Sequence, residues 1–367
     1  MLFAAFGVTG DLMKLKILPA LCALSTQGKL PAQLSIVGIS RRAWDDAQLR
    51  DYIQRTVPNA DAGFLERFTF VQGDADSLET FQRLKQLAAN ADLLLYLALA
   101  PTLYRSAITN MHEAGFSSRE ALTRVLLEKP FGISGENASL LYTLLERVVP
   151  AENIYLVDHY LSKEWVRDLA SLPVPLDDIA QLQLRFLETT GVETRGNVYD
   201  QLGALRDVVQ NHLLQMLAQI VAPTLRSEAL ERLPVLTSGQ VASHTSRAQY
   251  GEYLAIAGVA ATSDTETYCK LTTSIGVSGW EHVTVVFEAG KRRAENCKEA
   301  MFVLRDGSTV TIAERQNTVP EYETLLLAAV AGDHSFFPSM REIRAQWRFI
   351  DPILSAWSQG DPPMEPY

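Results

Sequence analysis

LFAAFGVTGDL, residues 2–12, sets five apolar residues directly before a turn with glycines at 7 and 10, and Asp11 then opens a helical pattern. A strand running straight into such a turn and a helix is the first βα unit of a nucleotide-binding sheet. Glycine lets the backbone approach a pyrophosphate closely, and the first N–H groups of the helix are open to an anion. The full three-glycine fingerprint is not met, because Gly7 and Gly10 stand three apart and position 12 is Leu. Spacing alone therefore leaves an ordinary tight turn as the alternative.

Outward from this turn, short apolar runs alternate with helical patterns. Strands are expected at 34–39, 68–72, 93–99, 124–128 and 154–158, with helices at 11–27, 45–55, 77–89, 103–114 and 134–148 between them. Pro19 should kink or split the first helix. Continuous apolar strands alternating with helices predict a parallel sheet covered on both faces, an α/β Rossmann-like doubly wound domain. From about residue 180 the pattern changes. AQLQLRFLE (180–188) alternates polar and apolar residues, a long helix is expected at 201–222, and strands at 253–259, 270–276, 282–288, 300–305 and 308–314 follow. Helices at 321–331 and 339–357 close the pattern. This predicts an α+β domain with a large, mainly antiparallel sheet, and domains of 1–155 and 156–367.

The chain has 367 residues and a formal charge of −10, with 47% hydrophobic and 21% charged residues, a globular composition. The acidic balance argues against nucleic acid or an anionic membrane as a partner. Cys22, Cys269 and Cys297 are too few and too scattered for a disulfide framework or a zinc site, so no metal is expected. No apolar run approaches the roughly 18 residues of a membrane span, and the N-terminus lacks a basic n-region. A reducing, cytoplasmic setting is the expectation.

Several residue groups suggest chemistry. The second strand ends in Ser40-Arg41-Arg42 with no acid until Asp45; arginine at this place suits the 2′-phosphate of NADP, whereas an acid suits NAD. The alternative is a solvated corner in an arginine-rich chain. Glu128-Lys129-Pro130 ends another strand. His159 and Lys163 follow the strand at 154–158 with i, i+4 spacing, suited to clamping a phosphate or carboxylate. His212 borders the apolar stripe of the long helix, where a histidine is commonly just a satisfied core residue. Asp207 lies five residues earlier, about 140° away on an ideal α-helix, so periodicity does not unite the two.

Taken in order, GVTGDLMK (7–14), LEKPFG (127–132), DHYLSKE (158–164), RGNVYDQLGALRDVVQNHLLQML (195–217) and VFEAGK (286–291) resemble the glucose-6-phosphate dehydrogenase family, as does the tail around Tyr322, Glu323 and Trp347 to Leu354. The resemblance implies oxidation of C1 of glucose 6-phosphate to the lactone, with hydride transfer to NADP and NAD as the other dinucleotide. It implies His212 as general base, supported by Asp158. His159, Tyr160 and Lys163 would bind the phosphate, Lys129 would bridge sugar and cofactor, and Glu188, Asp207 and Lys291 would hold the sugar. Gly7, Thr9, Gly10, Asp11 and Leu12 would line the pyrophosphate, Arg41 the 2′-phosphate, and Pro101 and Tyr104 a cofactor-side loop. A homodimer through the second-domain sheet would follow.

The chain is shorter than typical members, with losses concentrated after about residue 225 and between Lys291 and Tyr322. The basic residue usual about five positions after Lys291 is Asn296 here, with Arg293 and Lys298 as substitutes. A reshaped rim would admit a modified hexose 6-phosphate, such as an amino sugar. A non-catalytic binding homologue is the alternative from another class.

Overall fold

A computed structural model describes residues 1–367. The chain forms two compact units. One holds Met1–Gly132, Glu136–Ser162 and Thr318–Pro338; the other holds Ile133–Gly135, Lys163–Asn317 and Ser339–Tyr367.

The first unit is built on β1 (Leu2–Phe6), β2 (Ser35–Ser40), β3 (Phe68–Gln72), β4 (Leu93–Leu97), β5 (Thr123–Leu127) and β6 (Ile154–Leu156), in the order β3-β2-β1-β4-β5-β6. Every pairing is parallel. All five residues of β1 and all five of β4 are buried, which is why both read as unbroken apolar runs. The chain reverses direction across the sheet between β1 and β4, the place where such sheets bind ligands. Pro19 does divide the first helix: Met13–Ile17 winds as a π-helix and Leu18–Thr26 as an α-helix, with the proline in the first turn of the latter. Ile17 and Leu18 keep helical backbone angles, so the helix runs past the proline with a change of winding at that point.

The helix Glu321–Ala331 packs into this first unit, not into the later one that a boundary at 155 implies. Gln27 Nε2 donates to Glu323 Oε2 at 3.1 Å, and Arg124 Nη1 donates to the Val330 carbonyl at 2.9 Å. Leu325, Leu326 and Ala329 complete the core that contains Phe3, Ile36 and Leu126.

The second unit carries β7 (Ile179–Leu187), β8 (Thr245–Gln249), β9 (Tyr268–Thr273), β10 (Thr284–Gly290), β11 (Cys297–Leu304), β12 (Thr309–Ala313) and β13 (Met364–Pro366). The order is β12-β11-β7-β10-β9-β8-β13, antiparallel except for β7 with β10 and β8 with β13. The strand expected at 253–259 is absent. Tyr253–Ala255 is a 3-10 turn, with Tyr253 buried against Tyr199 and Tyr250. Gly258 takes a left-handed φ of +87°, and Asp200 accepts hydrogen bonds from the Ala260 N–H and the Tyr253 hydroxyl. A side-chain carboxylate thus satisfies the segment in place of a ladder. No helix is long and apolar enough to cross a membrane.

Candidate active site

In the first unit, a cavity of about 560 Å³ opens at the switch point between β1 and β4. Gly7, Thr9 and Gly10 form its floor, Ser40, Arg41 and Arg42 one wall, and Ala98 to Ala100 another. Gly7 has φ +73°, and a Cβ there would sit 2.9 Å from the Ala98 carbonyl oxygen, so only glycine fits. The Gly10 N–H donates to the Gly7 carbonyl at 2.8 Å, which closes the turn. The N–H groups left for an anion are therefore those that begin the helix at Asp11 and Leu12. Arg41 is largely exposed, with Nε 3.7 Å from Asp74 Oδ2. Asp74 and Asp76 line the cavity too; they follow β3, and sequence reading passed over them for want of a motif.

Tyr104 takes no part in this cavity. It is fully buried, and its hydroxyl donates to the Glu128 carbonyl at 2.7 Å. Its expected role as a cofactor contact is replaced by a structural one: it anchors the backbone that presents Lys129. Pro101 starts the short 3-10 turn Pro101–Leu103, of which Leu103 reaches the cavity.

Glu128 is buried beside Lys129. Tyr96 donates a short hydrogen bond to Glu128 Oε1, and the Tyr322 hydroxyl lies 3.4 Å from the same oxygen. Burial pushes this carboxyl up to about 7, against the opposing effects of the Tyr96 hydroxyl and Lys129. Past β6, Asp158 is 2% exposed and its Oδ1 accepts from the Tyr160 N–H at 3.0 Å. The His159 ring lies between the rings of Tyr160 and Tyr322, at centroid distances of 5.1 and 6.0 Å. The first unit thus holds Lys129, Asp158, His159 and Tyr160 on neighbouring strand ends.

In the second unit, the ends of β7 and β10 and the start of β11 meet in register, Leu187 standing opposite both Gly290 and Cys297. This brings Glu188, Lys291 and Lys298 to one end of the sheet. Lys291 Nζ lies 2.6 Å from Glu188 Oε2 and over the Tyr199 ring. Lys163 Nζ lies 2.7 Å from Glu314 Oε1. A cavity of about 280 Å³ here is lined by Glu188, Asn296, Lys298, Glu299 and Glu314 among others. Of the two substitutes for the missing basic residue, Lys298 reaches this cavity; Arg293 stacks instead over Tyr268 and Tyr367.

The long helix enters as a π-helix, Leu205–Leu213, and continues as an α-helix, Leu214–Val221. In π winding the hydrogen bonds run i→i+5, so residues five apart stand one above the other. Asp207 and His212, separated on an ideal α-helix, therefore share a face. Neither is more than 6% exposed. His212 stacks on Phe186 of β7 at 6.5 Å between centroids, and Lys298 Nζ lies over the same ring, 4.8 Å from its centroid. The π segment is seated by Glu266, whose Oε1 accepts from the Leu205 N–H at 2.8 Å. Gly203, at φ +71°, leaves the room: a Cβ there would lie 2.4 Å from Glu266 Oε1. Sequence reading missed Glu266 because it lies far from the helix it caps.

Comparison with known proteins covers the whole chain. The model of the glucose-6-phosphate dehydrogenase NAD binding domain matches residues 4–168, and that of the C-terminal domain matches 176–316 and 307–367. Glucose-6-phosphate 1-dehydrogenase of Gluconobacter oxydans (strain 621H) is 30% identical over 456 residues, an alignment spanning 100% of this chain and 92% of that protein. An alignment longer than the chain itself places the missing residues inside it. Among solved structures, the Mycobacterium avium enzyme of the same name superposes with a TM-score of 0.82 at 26% identity, covering 100% of this chain and 93% of that one. A glucose-6-phosphate dehydrogenase in complex with its substrate glucose 6-phosphate gives a TM-score of 0.83 at 25% identity, covering 100% and 94%. The two domain models, the full-length relative and the shared fold together show that this chain belongs to the glucose-6-phosphate dehydrogenase family.

Proposed function

We propose that this chain oxidises C1 of glucose 6-phosphate to 6-phosphogluconolactone, with NADP as hydride acceptor. The observation that carries this reading is the full-length likeness to a family member solved with that sugar phosphate. The residue types expected of the site are all present on the strand and helix ends described above.

The cavity at the switch point suits a dinucleotide. Glycine is sterically required at position 7, the helix N-terminus faces the turn, and Arg41, in the cavity lining, would hold a 2′-phosphate. When bound, the nicotinamide supplies the hydride acceptor. The chain's own groups supply the rest. His212 takes the C1 hydroxyl proton, because hydride leaves C1 readily only as that oxygen loses its proton. Asp158 steadies the imidazolium that results. His159, Tyr160 and Lys163 hold the phosphate as a remote handle that orients C1. Lys129 bridges sugar and cofactor, while Glu188, Asp207 and Lys291 fix sugar hydroxyls.

The outer face of the second sheet carries Arg185 paired with Glu288, Glu295 and Glu299. We read this face as the contact of a homodimer, and the cytoplasm as the setting, where the three buried cysteines stay unpaired. The deciding assay mixes purified chain with glucose 6-phosphate and either NADP or NAD and follows reduced cofactor by absorbance. Ligand binding without turnover on any hexose phosphate would overturn the catalytic reading.

A further inference from the structure

Glu314 stands between two lysines at one end of the second sheet. It follows β12, and its N–H donates to the Lys298 carbonyl at 2.7 Å, which fixes its backbone beside β11. Its two carboxylate oxygens reach different lysines: Oε1 is 2.7 Å from Lys163 Nζ, and Oε2 is 3.5 Å from Lys298 Nζ. The lysine side chain of that first pair is 10% exposed and its carboxylate partner 30%. The carboxylate is therefore the more solvent-exposed member of the pair. Nearby, Lys291 is already matched by Glu188. The lysines at this end of the sheet, Lys163, Lys291 and Lys298, are thus each held by a carboxylate of the chain, Glu188 or Glu314, and both of those carboxylates line the cavity.

We propose that Glu314 is a specificity-determining residue that competes with the substrate's phosphate for Lys163 and Lys298. It thereby narrows this chain's preference for a phosphorylated over an unphosphorylated sugar. The inference rests on the reading of Lys163 as a phosphate contact. A phosphate dianion arriving at Lys163 either displaces the carboxylate into solvent or binds beside it. The first breaks two ion pairs and the second sets like charges together, so both weaken phosphate binding relative to a neutral residue of the same shape.

The test uses Glu314→Gln, which keeps an oxygen to accept from Lys163 and removes the charge. Calorimetry on the full chain would measure the affinity for inorganic phosphate, glucose 6-phosphate and glucose, and steady-state assays would measure KM and kcat with both sugars. The expected result is roughly tenfold tighter binding of both anions, the size of effect one partly screened charge produces. KM for glucose 6-phosphate should fall in step, kcat should change by less than about twofold, and glucose should be unaffected. Unchanged or weaker anion binding in both Glu314→Gln and Glu314→Ala, with melting temperatures close to the parent, would overturn the proposal and make Glu314 a support for Lys163. Lys163→Ala separates the two layers. If it leaves glucose 6-phosphate affinity intact, the reading of the pocket fails and the competition with it. If it weakens affinity while Glu314→Gln gains nothing, only the competition fails.

Discussion

The two units make their binding surfaces from different materials. The cavity of the first is mostly backbone and small side chains: Gly7, Thr9, Gly10, Ala98 and Ala100 line it, and its arginines sit at the rim. The cavity of the second is made of charged side chains on strand ends, held in place by ion pairs. A surface of the first kind recognises a shape common to many nucleotides, and its critical positions are those where a side chain would collide. A surface of the second kind recognises a charge pattern, and each position is open to exchange without loss of the fold. The first therefore changes slowly and the second is where substrate range is set.

The largest effect that tests this contrast lies in the second unit. His212→Asn should lower kcat by on the order of 10²–10⁴ while leaving glucose 6-phosphate affinity nearly intact, measured by absorbance and calorimetry. A near-normal kcat would return His212 to the role of a core histidine.

Next comes the buried carboxyl of the first unit. Glu128 is raised from 4.5 to about 7 by burial, so its folded form favours the proton more than its unfolded form does. The stability it lends is full below about pH 4.5 and is lost as pH rises through about 7. Glu128→Gln should thus gain on the parent across that window, by on the order of 3 kcal/mol at most, and the gap should be flat above it. Melting curves of both proteins from pH 4 to 8 check this, and a gap constant with pH would show that burial leaves the carboxyl where it titrates in the unfolded chain.

Gly203→Ala should cost about 1–3 kcal/mol of stability, because the left-handed backbone and the Glu266 carboxylate leave no room for a methyl group. If the contrast holds, kcat should fall as well, since the π segment carrying Asp207 and His212 starts there. A stable, fully active variant would show that the segment tolerates a shift.

The smallest effect belongs at the rim of the first cavity. Arg41→Ala should raise KM for NADP by about three- to tenfold and leave KM for NAD unchanged, a modest change because the side chain is exposed. Equal effects on both dinucleotides would remove Arg41 from the 2′-phosphate.

The succession of strands and helices in the first unit, and their parallel pairing, were legible in the sequence because the signals are local: each apolar run is followed within a few residues by its own turn and helix. The glycine turn, Arg41 and the 154–158 strand end could be placed for the same reason. Other features depend on distant partners. Nothing near 321–331 says that this helix completes the core around Phe3 and Leu126. Tyr104 looked like a loop residue until Glu128 claimed its hydroxyl. Asp207 and His212 could not be joined by helical periodicity, because the π winding that aligns them depends on Gly203 and Glu266.

The pairing of β7 with β10 and β11 has a consequence for how this chain became short. Along β7, Phe186 and Glu188 point to the side where His212 lies, and Arg185 points to the other, with its glutamates. Removing a single residue from the strand would exchange those two sets, moving the proposed sugar contacts outward and the outer charges inward. Deletions can be kept only where parity does not matter, in the connections between strands. The chain is thus free to shed loops, and with them rim and reach, while the row of residues on the His212 side of the sheet stays in step.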